Sequence, residues 1–224
     1  MFKQKATTYL LEILTIFIGI TISFMFDEWR VNQEQRLKQK ELVGSILSDL
    51  RAKRGELVED LKANEQYGRS MMAVVEQLDA GQPIPRDTAI LAIGRMNIDH
   101  WFFGESTPAY TSASATGLWQ ERPDSLRAPI GMLYYRDFGY LHRLVEKLVE
   151  YSSYAKLHLL APNGLFDQKS NSTEKYQQLM RTEEFRSFMR MLGKDFQFTA
   201  EYYRSAIRSI DENLIRLEQF KEGL

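Results

Sequence analysis

One carboxylate lies inside the most apolar stretch of the chain. The stretch runs from Tyr9 to Phe26, reads YLLEILTIFIGITISFMF, and contains a single acidic residue, Glu12. A carboxylate that faced lipid would be unfavourable by several kcal/mol. We therefore expect Glu12 to face protein, water or the lipid head groups, where it can be protonated, paired or solvated.

Small and polar residues share one side of this stretch if it is helical. At about 100° per residue, one narrow stripe contains Thr8, Glu12, Thr15, Gly19 and Ser23. Small residues four apart let a second helix approach closely, so the stripe predicts a helix–helix interface with a polar contact at Glu12. Two alternatives stay open. Glu12 snorkels to the head groups, or it belongs to an ion or proton pathway.

A second group of residues could bind a ligand or a partner. Trp101, Phe102 and Phe103 form an aromatic run in a predicted loop, and Tyr110 follows shortly after it. Aromatic side chains outside long helices are typical of ligand pockets and of interface anchors. The alternative is that these rings close one end of a helical bundle.

The sequence carries no pattern typical of a catalytic or metal centre. Its three histidines, His100, His142 and His158, have no partner at metal-ligand spacing, and the chain has no cysteine. It also lacks a glycine-rich phosphate loop and the common nucleophile and zinc-protease motifs. We therefore expect a protein that is not an enzyme and that holds no metal or cofactor.

The apolar stretch has the length of a membrane-spanning helix. Residues 7–26 would extend for about 30 Å as a helix, which matches a bilayer core. No small-x-small cleavage site follows the stretch, which continues into Asp27, Glu28 and Trp29. We therefore predict that residues 1–27 form an uncleaved anchor in a bacterial inner membrane, with the lipid bilayer as a partner.

The charges flanking the anchor favour one orientation. Lys3 and Lys5 precede the apolar stretch, which favours a cytoplasmic N-terminus and a body outside the cytoplasm. Arg30, Lys38 and other basic residues follow within the counted window, and they favour the opposite orientation. We give more weight to the positive charges closest to the stretch and predict that the body lies outside the cytoplasm.

The rest of the chain has a helical pattern. Apolar residues recur at heptad-like spacing at Val43, Leu47, Leu50, Leu57, Leu61, Met71, Val75 and Leu78. Long helices are predicted at about 28–79, continuous with the membrane helix, and at about 124–160 and 196–221. Pro129 and Gly131 are expected to kink the second, and Thr182 is expected to begin a separate short helix. We predict an all-α fold in which residues 28–224 form an antiparallel helical bundle.

Three blocks of residues carry a resemblance. The first consists of Glu12-Ile13, Ile18-Gly19-Ile20 and Trp29. The second consists of Tyr110, Gly117-Leu118, residues 124–127 (DSLR) and Tyr134-Tyr135, and the third is Glu183-Glu184-Phe185. In this order they resemble a family of uncharacterised bacterial proteins that is defined as a domain of unknown function.

The resemblance implies one N-terminal membrane helix and a helical body, and it implies no activity. The chain departs from the family pattern at Leu11, where a small residue is usual. It also departs at Asp27-Glu28, where amides are usual.

Three hypotheses about function follow from the sequence. The first is a non-enzymatic, membrane-anchored structural or accessory subunit that pairs with a second copy or with another membrane protein. The second is an extracytoplasmic sensor or ligand-binding module that works through a partner. The third is a subunit of an ion-conducting oligomer that uses Glu12. The formal net charge of -1 argues against nucleic acid as a partner.

Overall fold

The computed structural model describes residues 2–85, 88, 108–115, 117, 119–120, 122–165 and 173–224, without the side chains of residues 2–13 and 173. In chain order, the first five described α-helices are α1 (Phe2–Asp79), α2 (Pro108–Ala115), α3 (Asp124–Met132), α4 (Gly139–Tyr154) and α5 (Thr173–Arg181). The last helix is α6 (Glu183–Glu222). π-Helical segments at Leu133–Phe138 and Ala155–Leu160 and a 3-10 turn at Ala161–Asn163 complete the elements. All the described elements are helical, which confirms the all-α prediction for this part of the chain.

The first helix is continuous from the apolar stretch into the bundle. It runs for 78 residues, or about 120 Å at 1.5 Å per residue. It ends at Gly81, whose φ of +67° reverses the chain, while the Gln82 amide donates to the Gln77 carbonyl at 2.9 Å. The predicted continuity and the predicted end of this helix are both confirmed.

Cross-helix ion pairs show that α1 and α6 run antiparallel. Arg51 contacts Glu218 at 2.5 Å, and Arg190 contacts Asp79 at 2.8 Å. The same holds for α4 and α6, since Tyr140 packs on Tyr202 while Lys147, further along α4, contacts Asp195 at 3.3 Å. These exposed ion pairs contribute little to the stability of the bundle, because water screens them, but they mark the register between the helices.

Two apolar cores lie one above the other along the bundle. The first packs α1 residues such as Val43 and Leu57 against α2, α3, the first π-helical segment and the last half of α6. The second packs the end of α1, from Met71 on, against the end of α4, α5 and the first half of α6. Between them lie half-buried Asp60 and the buried polar residues Asn64 and Thr199. The predicted α1 seam is confirmed as the apolar face of this helix.

The last long helix begins earlier than predicted. The expected start near residue 196 and the separate short helix at Thr182 are wrong, because α6 is unbroken over 40 residues from Glu183. Thr182 caps it by accepting the Phe185 amide on its hydroxyl oxygen at 3.3 Å. Gly193 does not interrupt the helix, because it is buried where α6 meets α1.

The second predicted helix is present but is not uniform. The chain remains helical through Pro129 and Gly131, and it widens into π-helical turns just after them. Asp124, expected as part of the cap, lies in the first turn, and Pro123 occupies the cap position. The predicted end at residues 161–164 is confirmed, since Gly164 takes a φ of +66° there.

Candidate functional site

The N-terminal part of α1 projects out of the bundle. Each residue from Leu14 to Lys38 is exposed, and contact with the cores begins at Leu42 and Val43. Large apolar side chains are exposed on all sides here, with Phe24 at 71% and Phe26 at 67%. This segment packs against neither of the two cores.

The polar stripe lies on this projecting segment. Thr15, Gly19 and Ser23 are exposed, and a Cβ atom added to Gly19 would meet no atom within 4 Å. Thr8 and Glu12 lie within α1, but their side chains are outside the described part of the chain. Both the predicted helix–helix interface and the ion-pathway alternative therefore stay predictions.

Over the described residues, no helix combines the length and the apolar character needed to cross a bilayer. The predicted membrane helix therefore stays a prediction.

The aromatic group divides between undescribed and buried residues. Trp101, Phe102 and Phe103 lie outside the described residues. Tyr110 is buried in the first core, where its ring stacks on Tyr134 at 3.9 Å and meets Trp119 edge-on at 5.8 Å. Tyr110 therefore contributes to the packing of the first core.

A cleft opens beside the stacked pair. It has a volume of about 330 Å³ and is lined by residues that include Tyr110, Ser114, Tyr134 and Tyr135. Burial raises the pKa of both the Tyr110 and the Tyr134 hydroxyls. Within the described residues, the buried Tyr134 hydroxyl and the Trp119 indole N–H have no hydrogen-bond partner. Such groups are unusual in an interior and fit either a water molecule or a ligand.

The first π-helical segment contains two adjacent tyrosines that differ in burial. Tyr134 is buried in the core, whereas Tyr135 is 74% exposed and borders the cleft. π-Helical turns are rare and occur often at functional sites, because the extra residue redirects neighbouring side chains. Sequence reasoning placed both rings at the core or its edge. The signal it missed is that neighbouring residues on a helix point about 100° apart, so one of two adjacent tyrosines can be buried while the other is exposed.

No metal centre is found among the described residues. They contain no group of three or more His, Asp or Glu side chains that could hold a metal ion. His142 lies 3.2 Å from Glu146 one turn along α4, and His158 packs against the ring of Tyr154. The third histidine, His100, lies outside the described residues.

Comparisons with known proteins found no match. A scan against protein-family models, a search of curated proteins and a search of solved structures each gave no similar protein.

Proposed function

We propose that this protein is a non-enzymatic, single-pass membrane protein that acts as a structural or accessory subunit of a membrane-associated assembly. Residues 1–27 are the anchor, the N-terminus is cytoplasmic, and the helical bundle lies outside the cytoplasm. The observation that carries the proposal is the exposed apolar segment of α1, which extends beyond the bundle from Leu14 to Phe26. Soluble proteins rarely expose so large a contiguous apolar surface.

The polar groups in this segment are compatible with lipid. The Thr21 hydroxyl donates to the Phe17 carbonyl at 2.8 Å, so the helix itself satisfies this donor. That matters because a bilayer core offers no water to an unpaired polar group. Glycine and hydroxyl residues on the stripe support close packing with a second membrane helix, either another copy or a different membrane protein.

Substitutions on the stripe test this proposal. We expect Gly19→Leu combined with Glu12→Leu to reduce the mass of the complex extracted gently from its membrane. Gly19→Leu blocks the close approach of a second helix, and Glu12→Leu removes the polar contact. Phe17→Leu, on the opposite side of the helix, is the matched control and should leave that mass unchanged. A complex of unchanged mass in the double variant would refute the helix–helix interface.

A second candidate function is a sensor or ligand-binding module. The observation that favours it is the 330 Å³ cleft beside Tyr110, together with the unpaired Tyr134 hydroxyl among the described residues. A ligand in this cleft should raise the melting temperature of the protein, because binding to the folded state alone stabilises it. Tyr110→Ala should abolish the shift, and a ligand screen without any shift would count against this candidate.

A further inference from the structure

A second cleft is lined by the first π-helical segment, the start of α4 and α6, and it shares Tyr135 with the first cleft. It has a volume of about 500 Å³, in the range of small-molecule sites. Three tyrosines, two arginines, an aspartate, a serine and an alanine line it, and the residues that carry the argument are Tyr135, Arg136, Asp137, Tyr140, Arg143 and Tyr202. No hypothesis drawn from the sequence used these residues as a site.

One positive charge in this cleft is not balanced by a carboxylate. Asp137 accepts a hydrogen bond from the Arg136 Nε–H at 2.7 Å and another from the Ser209 hydroxyl at 3.0 Å. The Arg136 and Asp137 charges therefore offset one another. No described carboxylate forms an ion pair with Arg143, and the nearest acidic residue along α4, Glu146, contacts His142. The cleft thus has a net positive charge at Arg143.

Arg143 is held in place by an aromatic ring. Its guanidinium carbon lies 5.4 Å from the centre of the Tyr140 ring, which is the geometry of a cation–π contact. Tyr140 packs in turn on Tyr202, with ring centres 4.6 Å apart. A hydrogen bond to Tyr140 is the largest cause that raises the pKa of the Tyr202 hydroxyl. The contacts restrain the guanidinium while leaving its N–H donors for a ligand.

We propose that this cleft binds a small aromatic anion, one that carries a phosphate or carboxylate group. The guanidinium of Arg143 would bind the anionic oxygens as a fork, since two parallel N–H donors match the geometry of either group. Hydroxyls of the lining tyrosines and of Ser205 are further donors. The exposed ring of Tyr135 supplies a surface on which the ligand's aromatic ring stacks. This site is independent of the membrane anchor.

Direct binding measurements on the full chain in detergent test the site. The probes are phenyl phosphate and benzoate, with benzylamine as a cationic compound of similar size. We expect at least one anion to bind at millimolar concentration or below and benzylamine not to bind. Absence of binding by both anions, or equal binding of benzylamine, would overturn the proposal.

Variants of arginine separate this site from general charge effects. Arg143→Gln should weaken binding of the anion by about tenfold or more, as expected for loss of a charge-assisted hydrogen bond. Arg143→Lys should restore only part of the affinity, because lysine keeps the charge without the fork. Arg208→Gln removes an exposed arginine of α6 and should leave the affinity for the anion unchanged. Equal binding by wild type and Arg143→Gln would overturn the assignment.

Discussion

Gly68 of α1 lies directly against Gly193 of α6, and the two glycines let the helices approach closely beside the polar layer of the bundle. A Cβ atom on Gly68 would lie 3.2 Å from the Gly193 carbonyl oxygen and 3.3 Å from the Phe196 Cβ. A Cβ atom on Gly193 would instead meet the Met72 sulfur at 3.1 Å. A side chain at Gly68 would therefore clash with rigid backbone of α6. A side chain at Gly193 would meet the flexible side chain of Met72, which can move.

Alanine substitutions should separate the two sides of this contact. In a helix, Gly→Ala alone is favourable by about 0.5–1 kcal/mol, and we expect Gly55→Ala to show that gain, since a Cβ there meets no atom within 4 Å. Gly68→Ala should instead lower the free energy of unfolding by about 1–3 kcal/mol, because the backbone opposite must shift. Gly193→Ala should fall between them. Thermal unfolding of the three variants in the same detergent gives the comparison, and equal stability of Gly68→Ala and Gly55→Ala would contradict the close contact.

Removal of the Tyr134 hydroxyl should not destabilise the bundle. The hydroxyl is buried and has no hydrogen-bond partner among the described residues, so Tyr134→Phe removes a desolvated polar group and keeps the stack on Tyr110. We expect a gain of about 1 kcal/mol or no change in the free energy of unfolding. Tyr110→Ala, which removes the whole ring from the core, should lose about 3–5 kcal/mol. A marked loss in Tyr134→Phe would mean that the hydroxyl has a partner.

The polar layer between the two cores predicts a dependence of stability on pH. Burial is the largest cause that raises the pKa of the Asp60 carboxyl, and its Oδ2 accepts from the Tyr203 hydroxyl at 3.5 Å. Because the folded pKa is above the unfolded value of about 3.9, this carboxyl favours the folded state most at low pH. That contribution is lost as the pH rises through the folded pKa.

Asp60→Asn should remove this part of the pH dependence. We expect the stability of the variant relative to wild type to increase between about pH 4 and pH 7, by less than about 1 kcal/mol because water screens a half-buried group. Glu59→Gln changes the neighbouring exposed carboxyl and controls for net charge. Thermal unfolding at both pH values measures the difference. A constant difference between Asp60→Asn and wild type would contradict the role of burial.

The bundle should fold without the projecting part of α1. Residues 14–38 are exposed, and the cores begin at Leu42 and Val43. A chain that begins at Gln39 should therefore give a soluble helical protein with a cooperative thermal transition. Circular dichroism checks this outcome, and a chain without a transition would show that the removed segment contributes to the core.

Helical periodicity predicted the parts of the fold that depend on one face of one helix. The apolar positions of α1 and the seam of α6 from Tyr203 to Leu217 were found this way, because burial repeats every three to four residues. Contacts between distant segments could not be read from the sequence. The sequence did not show that Gly193 lies where α6 meets α1.

The arginine–tyrosine cleft shows the same limit at the level of a site. Arg143 and Tyr140 are one turn apart and could be paired from the sequence, but Tyr202 joins them only when α4 and α6 pack antiparallel. The π-helical turns that contain Tyr135 also have no periodic pattern in the sequence that would predict them.

Extraction of isolated membranes with alkaline carbonate tests whether α1 anchors this protein in a membrane. We predict that the full chain stays in the pellet, whereas the chain beginning at Gln39 is found in the supernatant. The variant with Ile18→Arg and Ile20→Arg should lose much of its insertion, since each arginine near the middle of a span is unfavourable by about 2.5–3.5 kcal/mol. Release of the full chain by carbonate would refute the proposed membrane anchor.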